Sequence, residues 1–135
     1  MKDDCIFCKL ANGVFPTNSI YEDETFNVIL DVGPATKGHA LILPKEHYDN
    51  LFELPDDTAS KAMVLAKKLS KKMVDKLGAD GLNVVQNNGE AAGQTVMHYH
   101  LHLIPRYNDD GQHILWDPTS PEKEELEAIK NTIIE

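Results

Sequence analysis

The sequence predicts an α+β domain: a mostly antiparallel five-stranded sheet covered by one long helix, with a short helix at the N-terminus. Three stretches predict it. Residues His98 to Ile104 alternate polar and apolar side chains, the pattern of a half-buried strand. Ser19–Glu22 and Thr25–Leu30 are β-rich runs on either side of the acidic turn Glu22-Asp23-Glu24, which reads as a hairpin. Between Leu54 and Gly78, the residues Ala59, Ala62, Met63, Ala66, Leu69, Met73 and Leu77 recur at helical spacing.

The remaining elements follow in chain order. Asp3 or Asp4 can cap a short helix that runs through Asn12 and stops at Gly13. After the hairpin, Asp31 to Gly38 is a loop by composition. His39–Leu43 is a third strand ended by Pro44, and Leu54-Pro55-Asp56-Asp57 opens the long helix that Gly78 ends. Gly81–Gln86 is a fourth strand, and a glycine-punctuated loop, Asn87 to Thr95, leads into the histidine strand. Ser120-Pro121 opens a terminal amphipathic helix carrying Leu126, Ile129, Ile133 and Ile134. A length of 135 residues fits one domain, with its core over residues 4–106 and a tail and helix over 107–135.

Composition narrows the partners. Acidic residues outnumber basic ones by 22 to 13, for a formal charge of −9, and no basic stripe is present for a nucleic acid polymer. Lys67, Lys68, Lys71, Lys72 and Lys76 fall on the polar side of the long helix and read as solvated surface. No apolar run approaches a membrane span and no signal-peptide pattern is evident. The two cysteines stand as Cys-x-x-Cys, which in such a chain points to a reducing cytoplasm and to a metal or redox pair rather than a structural disulfide.

The chemistry concentrates in one strand. Alternation puts His98, His100 and His102 on one face, roughly 6.5–7 Å apart, and Tyr99, Leu101 and Leu103 on the other. Three groups that titrate near neutral pH, aligned on one short strand, suit nucleophilic, acid–base or metal chemistry. The preceding loop lets backbone amides approach a ligand closely, so it can cradle a phosphate.

The run Gln94-Thr95-Val96-Met97-His98-Tyr99-His100-Leu101-His102-Leu103-Ile104 resembles the signature of the histidine triad (HIT) family. The resemblance extends to Gly38-His39-Ala40-Leu41-Ile42-Leu43-Pro44-Lys45-Glu46-His47 and to Cys5-Ile6-Phe7-Cys8-Lys9, and is greatest to the short, phosphoramidase-like branch. It implies a HIT-like fold, with the sheet extended across a homodimer. It also implies a purine nucleotide-binding hydrolase that cleaves at the α-phosphate of an AMP-like substrate through a nucleotidyl-histidine intermediate. His100 takes the nucleophile's position, oriented by the carbonyl of His98, with His102, His39 and Thr95 supporting the reaction. Asn87, Gly93, Gln94, Thr95 and Val96, with His100 and His102, correspond to the phosphate and leaving-group site. Asp31 takes the position that accepts both ribose hydroxyls, although Asp before Gly-Pro also reads as a turn opener. Ile6, Phe7, Phe15, Ile29, Val32 and Leu41 correspond to the base pocket.

Cys5, Cys8, His47 and His98 match a zinc arrangement carried by some members, a closed structural Zn²⁺ site. A redox pair or two packed thiols are the other readings of the cysteines. Thr95 matches the dinucleoside polyphosphate hydrolase branch and Asn87 the phosphoramidase branch, so hydrolysis of dinucleoside polyphosphates is the alternative activity. A nucleotide- or zinc-binding regulatory module with incidental turnover is a third reading. Beyond Arg106 the sequence departs from the phosphoramidase branch, with His113-Ile114-Leu115-Trp116-Asp117-Pro118 displaced and followed by a helix.

Overall fold

The computed structural model describes residues 1–135. The elements are α1 (Ile6–Ala11), β1 (Ser19–Glu22), β2 (Phe26–Leu30), β3 (Ala40–Pro44), α2 (Asp56–Leu77), β4 (Gly81–Val85), β5 (Leu101–Arg106) and α3 (Lys123–Ile134). The five strands form one antiparallel sheet in the order β1-β2-β3-β5-β4.

The two faces of the sheet are covered by different helices. Phe26, Val28, Ala40, Ile42, Leu101 and Leu103 point to one face and pack with Leu54, Ala62, Leu65, Ala66, Leu69 and Met73 of α2 and its lead-in. Ile29, Leu41 and Leu43 point to the other and pack with Ala11, Phe7 and Leu10 of α1. Period-two alternation therefore buries both sides of β2 and β3, whose residues are almost all inaccessible. The terminal helix α3 buries no residue, and no helix is long and apolar enough to cross a membrane.

Three sequence expectations shift. Paired strand structure begins at Leu101 rather than His98, because the amide of Tyr99 donates to the carbonyl of Tyr48 instead of continuing along β3. The facing nevertheless holds: Tyr99, Leu101 and Leu103 are in the α2 core. The cap of α1 is Cys5, in extended backbone with its sulfur accepting from the Cys8 amide, and not Asp3 or Asp4. On α2, Leu65 is buried and Met63 is 56% exposed, since the buried stripe follows the other branch of the three-or-four-residue spacing.

Gly38 sits where the loop 31–38 enters β3, at φ +92°. A Cβ there would run into Leu77 at the end of α2 and crowd Pro105. Left-handed strain and overpacking then act together, so Gly38→Ala should lower the unfolding free energy by about 2–4 kcal/mol, read by urea denaturation. A loss below about 0.5 kcal/mol, the size of an ordinary surface change, would show that the loop adapts freely.

Candidate active site and metal centre

The site lies on the α1 face of the sheet. Leu41 stands opposite Ile29 on β2 and opposite His102 on β5, so Ile29, Leu41 and His102 form a row across three strands. That row floors a cleft of about 460 Å³, within the size range of small-molecule sites. Phe7 and Leu10 of α1 line it as well, together with Asp31, Val32, Thr95 and His100.

Hydrogen bonds set the histidine tautomers. His100 Nδ1 donates to the carbonyl of His98 at 2.7 Å, so its proton is on Nδ1 and the Nε2 lone pair is free. The Phe7 ring meets the His100 ring edge-on at 4.8 Å between centroids and confines it. His39 Nδ1 accepts from the Ala35 amide at 2.9 Å. The His39 proton is therefore on Nε2, which donates to His102 Nδ1 at 3.0 Å. His102 in turn carries its own proton on Nε2. Burial, with smaller contributions from His100 and His39, pushes His102 down to about 4. Burial also lowers His100 and His39, so all three imidazoles are neutral near pH 7.

Asp31 fills two roles at once. Its Oδ1 accepts from the Gly33 amide at 2.8 Å, the turn expected before Gly-Pro, while its Oδ2 lies 3.7 Å from His39 Nε2 at the cleft wall. Of the loop residues singled out from sequence, Thr95 lines the cleft; Asn87, Gly93, Gln94 and Val96 do not. Gln94 is buried and spans the loop, accepting from the Gly89 amide and donating to the carbonyls of Asp49 and Val96. Its side chain thus holds the loop in shape. Ile6 and Phe15 also lie outside the lining, Phe15 beneath the Lys9 ammonium, whereas Leu10, Pro16, Thr17, Asn18 and Leu30 complete it. The segment 16–18 carried no sequence signal, being a short polar link between two elements.

On the other side of Phe7, Cys5, Cys8, His47 and His98 bring their sulfur and Nδ1 atoms within 4.8 Å of one another. Sulfur–nitrogen separations are 3.4 Å for Cys5–His98, 3.4 Å for Cys8–His98 and 3.3 Å for Cys8–His47. A tetrahedron built on ordinary Zn–S and Zn–N bonds has edges of about 3.5 Å. The tautomers also fit. His98 Nε2 donates to the Pro44 carbonyl at 2.9 Å and His47 Nε2 donates to Asp49 at 2.7 Å, leaving both Nδ1 lone pairs for a metal. His47-x-Asp49 was a readable signal for that outer partner. Amides of Lys2 and Cys8 point at the two sulfurs, as suits thiolates.

Asp31, His39 and His102 also converge. There the tautomer is wrong for a metal: the Ala35 amide occupies His39 Nδ1, so the Nε2 that a metal would need holds the proton. The two clusters thus differ both in their ligands and in where the histidine protons sit.

A family model described as HIT domain matches residues 12–109. A HIT-like protein of Methanocaldococcus jannaschii is 48% identical over 80% of this chain and 83% of its own length. An adenosine 5'-monophosphoramidase of Schizosaccharomyces pombe is 39% identical over 96% of this chain and 95% of its own. Among solved structures, a Streptococcus mutans protein superposes with TM-score 0.94 at 38% identity, covering 99% of this chain and 85% of that one. A zinc-bound histidine triad protein of Mycobacterium smegmatis gives TM-score 0.78 at 38% identity over 97% and 96%.

The depressed His102 has a measurable consequence. An unfolded chain protonates this imidazole near 6.5 and the folded one only near 4, so as pH falls the unfolded state takes up the proton first. Its contribution to stability is complete above about pH 6.5 and is lost between about 6.5 and 4. The urea midpoint should therefore drop over that window, and His102→Asn should make the drop shallower. Parallel profiles for the two proteins would show that His102 titrates normally.

Proposed function

The chain belongs to the HIT family, and from that footing we propose that it is a hydrolase of AMP-like purine nucleotides, an adenosine 5'-monophosphoramidase in its reaction. The free Nε2 of His100 at the cleft carries this reading. It attacks the α-phosphorus, a P–N bond to the leaving amine breaks, and a nucleotidyl-His100 forms; water then releases AMP and restores the imidazole. As the bond to phosphorus forms, His100 gains positive charge, which the His98 carbonyl stabilises through the Nδ1 proton. His102, with Nε2–H as its donor, assists at a phosphoryl oxygen or the departing amine, and Thr95 adds a hydroxyl in the same cleft. Asp31 accepts the ribose hydroxyls, and the base lies over Ile29 and Leu41 between Phe7, Leu10 and Val32. The phosphoramidase name of the Schizosaccharomyces pombe relative supports this reaction over cleavage of dinucleoside polyphosphates.

Cys5, Cys8, His47 and His98 hold a structural Zn²⁺ in this reading, which the ligand spacing, the two available Nδ1 atoms and the zinc-bound relative support. The metal supplies folding energy and a fixed α1, not a site for substrate, because all four positions belong to protein. Burial pushes the Cys8 thiol up, so the cation's charge is what ionises it. The two reduced thiols suit a cytoplasmic protein, and a homodimer would extend the sheet through one of its two edge strands, β1 or β4.

His100→Ala should lose turnover of an adenosine phosphoramidate by at least about a thousandfold while AMP affinity changes less than about threefold, a loss specific to the chemical step. Acid quench of the wild type with labelled substrate should leave the label on His100. Label on another residue, or faster cleavage of a diadenosine polyphosphate than of the phosphoramidate, would overturn the corresponding part of the reading.

For the metal, elemental analysis should give about one zinc per chain, and Cys5→Ser with Cys8→Ser should remove it and lower the melting temperature. Protein from zinc-replete medium without metal would leave the cysteines as a packed pair.

A further inference from the structure

His39 and His102 act as a pair only while His39 keeps its proton on Nε2, and the group that ensures this is a loop amide, that of Ala35. A backbone N–H fixes a tautomer only as well as its own peptide is fixed. The loop 31–38 is held from the segment that follows β5. Arg106 grips the carboxylate of Asp110 through Nε and Nη2, at 2.8 and 3.0 Å, and donates again to the Gln112 carbonyl at 2.7 Å. Asp110 in return accepts from the amides of Tyr107 and Gln112, both at 3.0 Å. The turn so made places Asp109 at φ 69°, a left-handed backbone that aspartate adopts more readily than most residues other than glycine. From this seat Gln112 Nε2 donates to the Ala35 carbonyl at 2.9 Å. Ala35 is thus held at its carbonyl by Gln112 while its amide holds His39.

We infer that Gln112, seated by the Arg106–Asp110 pair, is a positioning residue for the reaction: it fixes Ala35 so that His39 stays in the Nε2–H tautomer and His102 keeps its donor toward the cleft. Tyr107 and Thr36 steady the same loop, through the carbonyl of Lys37 and to that of Pro105. Gln112 differs from them in bonding the residue whose amide meets the imidazole. The kinetic consequence rests on the proposed nucleotidyl transfer to His100; the tautomer consequence does not.

Gln112 is exposed, so Gln112→Ala leaves the core intact and separates the two. Imidazole ¹⁵N NMR of the full chain should show Nε2–H at both His39 and His102 in the wild type and a mixture of tautomers at His39 in the variant. Its kcat on an adenosine phosphoramidate should fall about three- to tenfold, the range of one lost hydrogen bond, with AMP affinity unchanged and the melting temperature lowered by no more than a few degrees. In a His39→Ala background, adding Gln112→Ala should cost nothing further, because the path runs through His39. Unaltered tautomers in Gln112→Ala overturn the inference, as do equal kcat losses in the two backgrounds. Shifted tautomers in a protein inactive toward the phosphoramidate would support the clip and overturn the proposed reaction alone.

Discussion

One hydrogen bond organises the site: His100 Nδ1–H to the carbonyl of His98. It can form because the chain leaves the β ladder just before Leu101, freeing the His98 carbonyl from strand pairing. The same residue turns its imidazole the other way, into the cysteine cluster, with its far nitrogen on Pro44. A single residue therefore joins two constellations, one through its backbone and the other through its side chain. Phe7 joins them a second time, since α1 begins at the cysteine that caps it and places the aromatic ring against His100.

This arrangement needs a sheet with two unlike faces. The α2 face is an apolar layer that holds the strands in register, and Tyr99, Leu101 and Leu103 belong to it. The α1 face is covered only in part, because α1 is six residues long, and the remainder is the cleft. Desolvation by the protein around that cleft keeps the imidazoles neutral, which a nucleophile and a donor of this type both require. The carboxylate of Asp31 opposes the effect without reversing it, standing 3.7 Å from His39 Nε2, near enough to act through its charge but too far for a hydrogen bond.

Much of this was legible in the sequence because it rests on local rules. Alternation assigned the faces of residues 98–104, helical spacing found α2, and Gly78 marked its end in a left-handed backbone. The Cys-x-x-Cys pair is a local pattern too, while the two histidines that meet it, His47 and His98, are implied by the family resemblance. What escaped was set by long-range packing. Nothing local distinguishes Leu65 from Met63 as the buried residue of α2, or shows that Asn18 borders a cleft built by β2 and β5. The side-chain partners of Gln94, namely Gly89, Asp49 and Val96, are likewise brought together only by the folded loop. The reach of residues 106–112 back to Ala35 was equally hidden, since it spans 77 residues of sequence.

The row Ile29–Leu41–His102 runs across the strands, not along one of them. Its length is therefore counted in strand spacings, two intervals of about 4.8 Å from the apolar end to the imidazole. The sheet serves as a ruler for the ligand, graduated in whole strands. Lengthening a loop can widen the cleft, but it cannot move the apolar end of the row relative to the imidazole end, because hydrogen bonds fix that interval. A one-residue slip of β3 would not stretch the scale either; it would exchange Leu41 for a side chain now facing α2 and erase the middle graduation. Selection by size at this site is thus a property of the backbone, while the side chains are left to choose the chemistry.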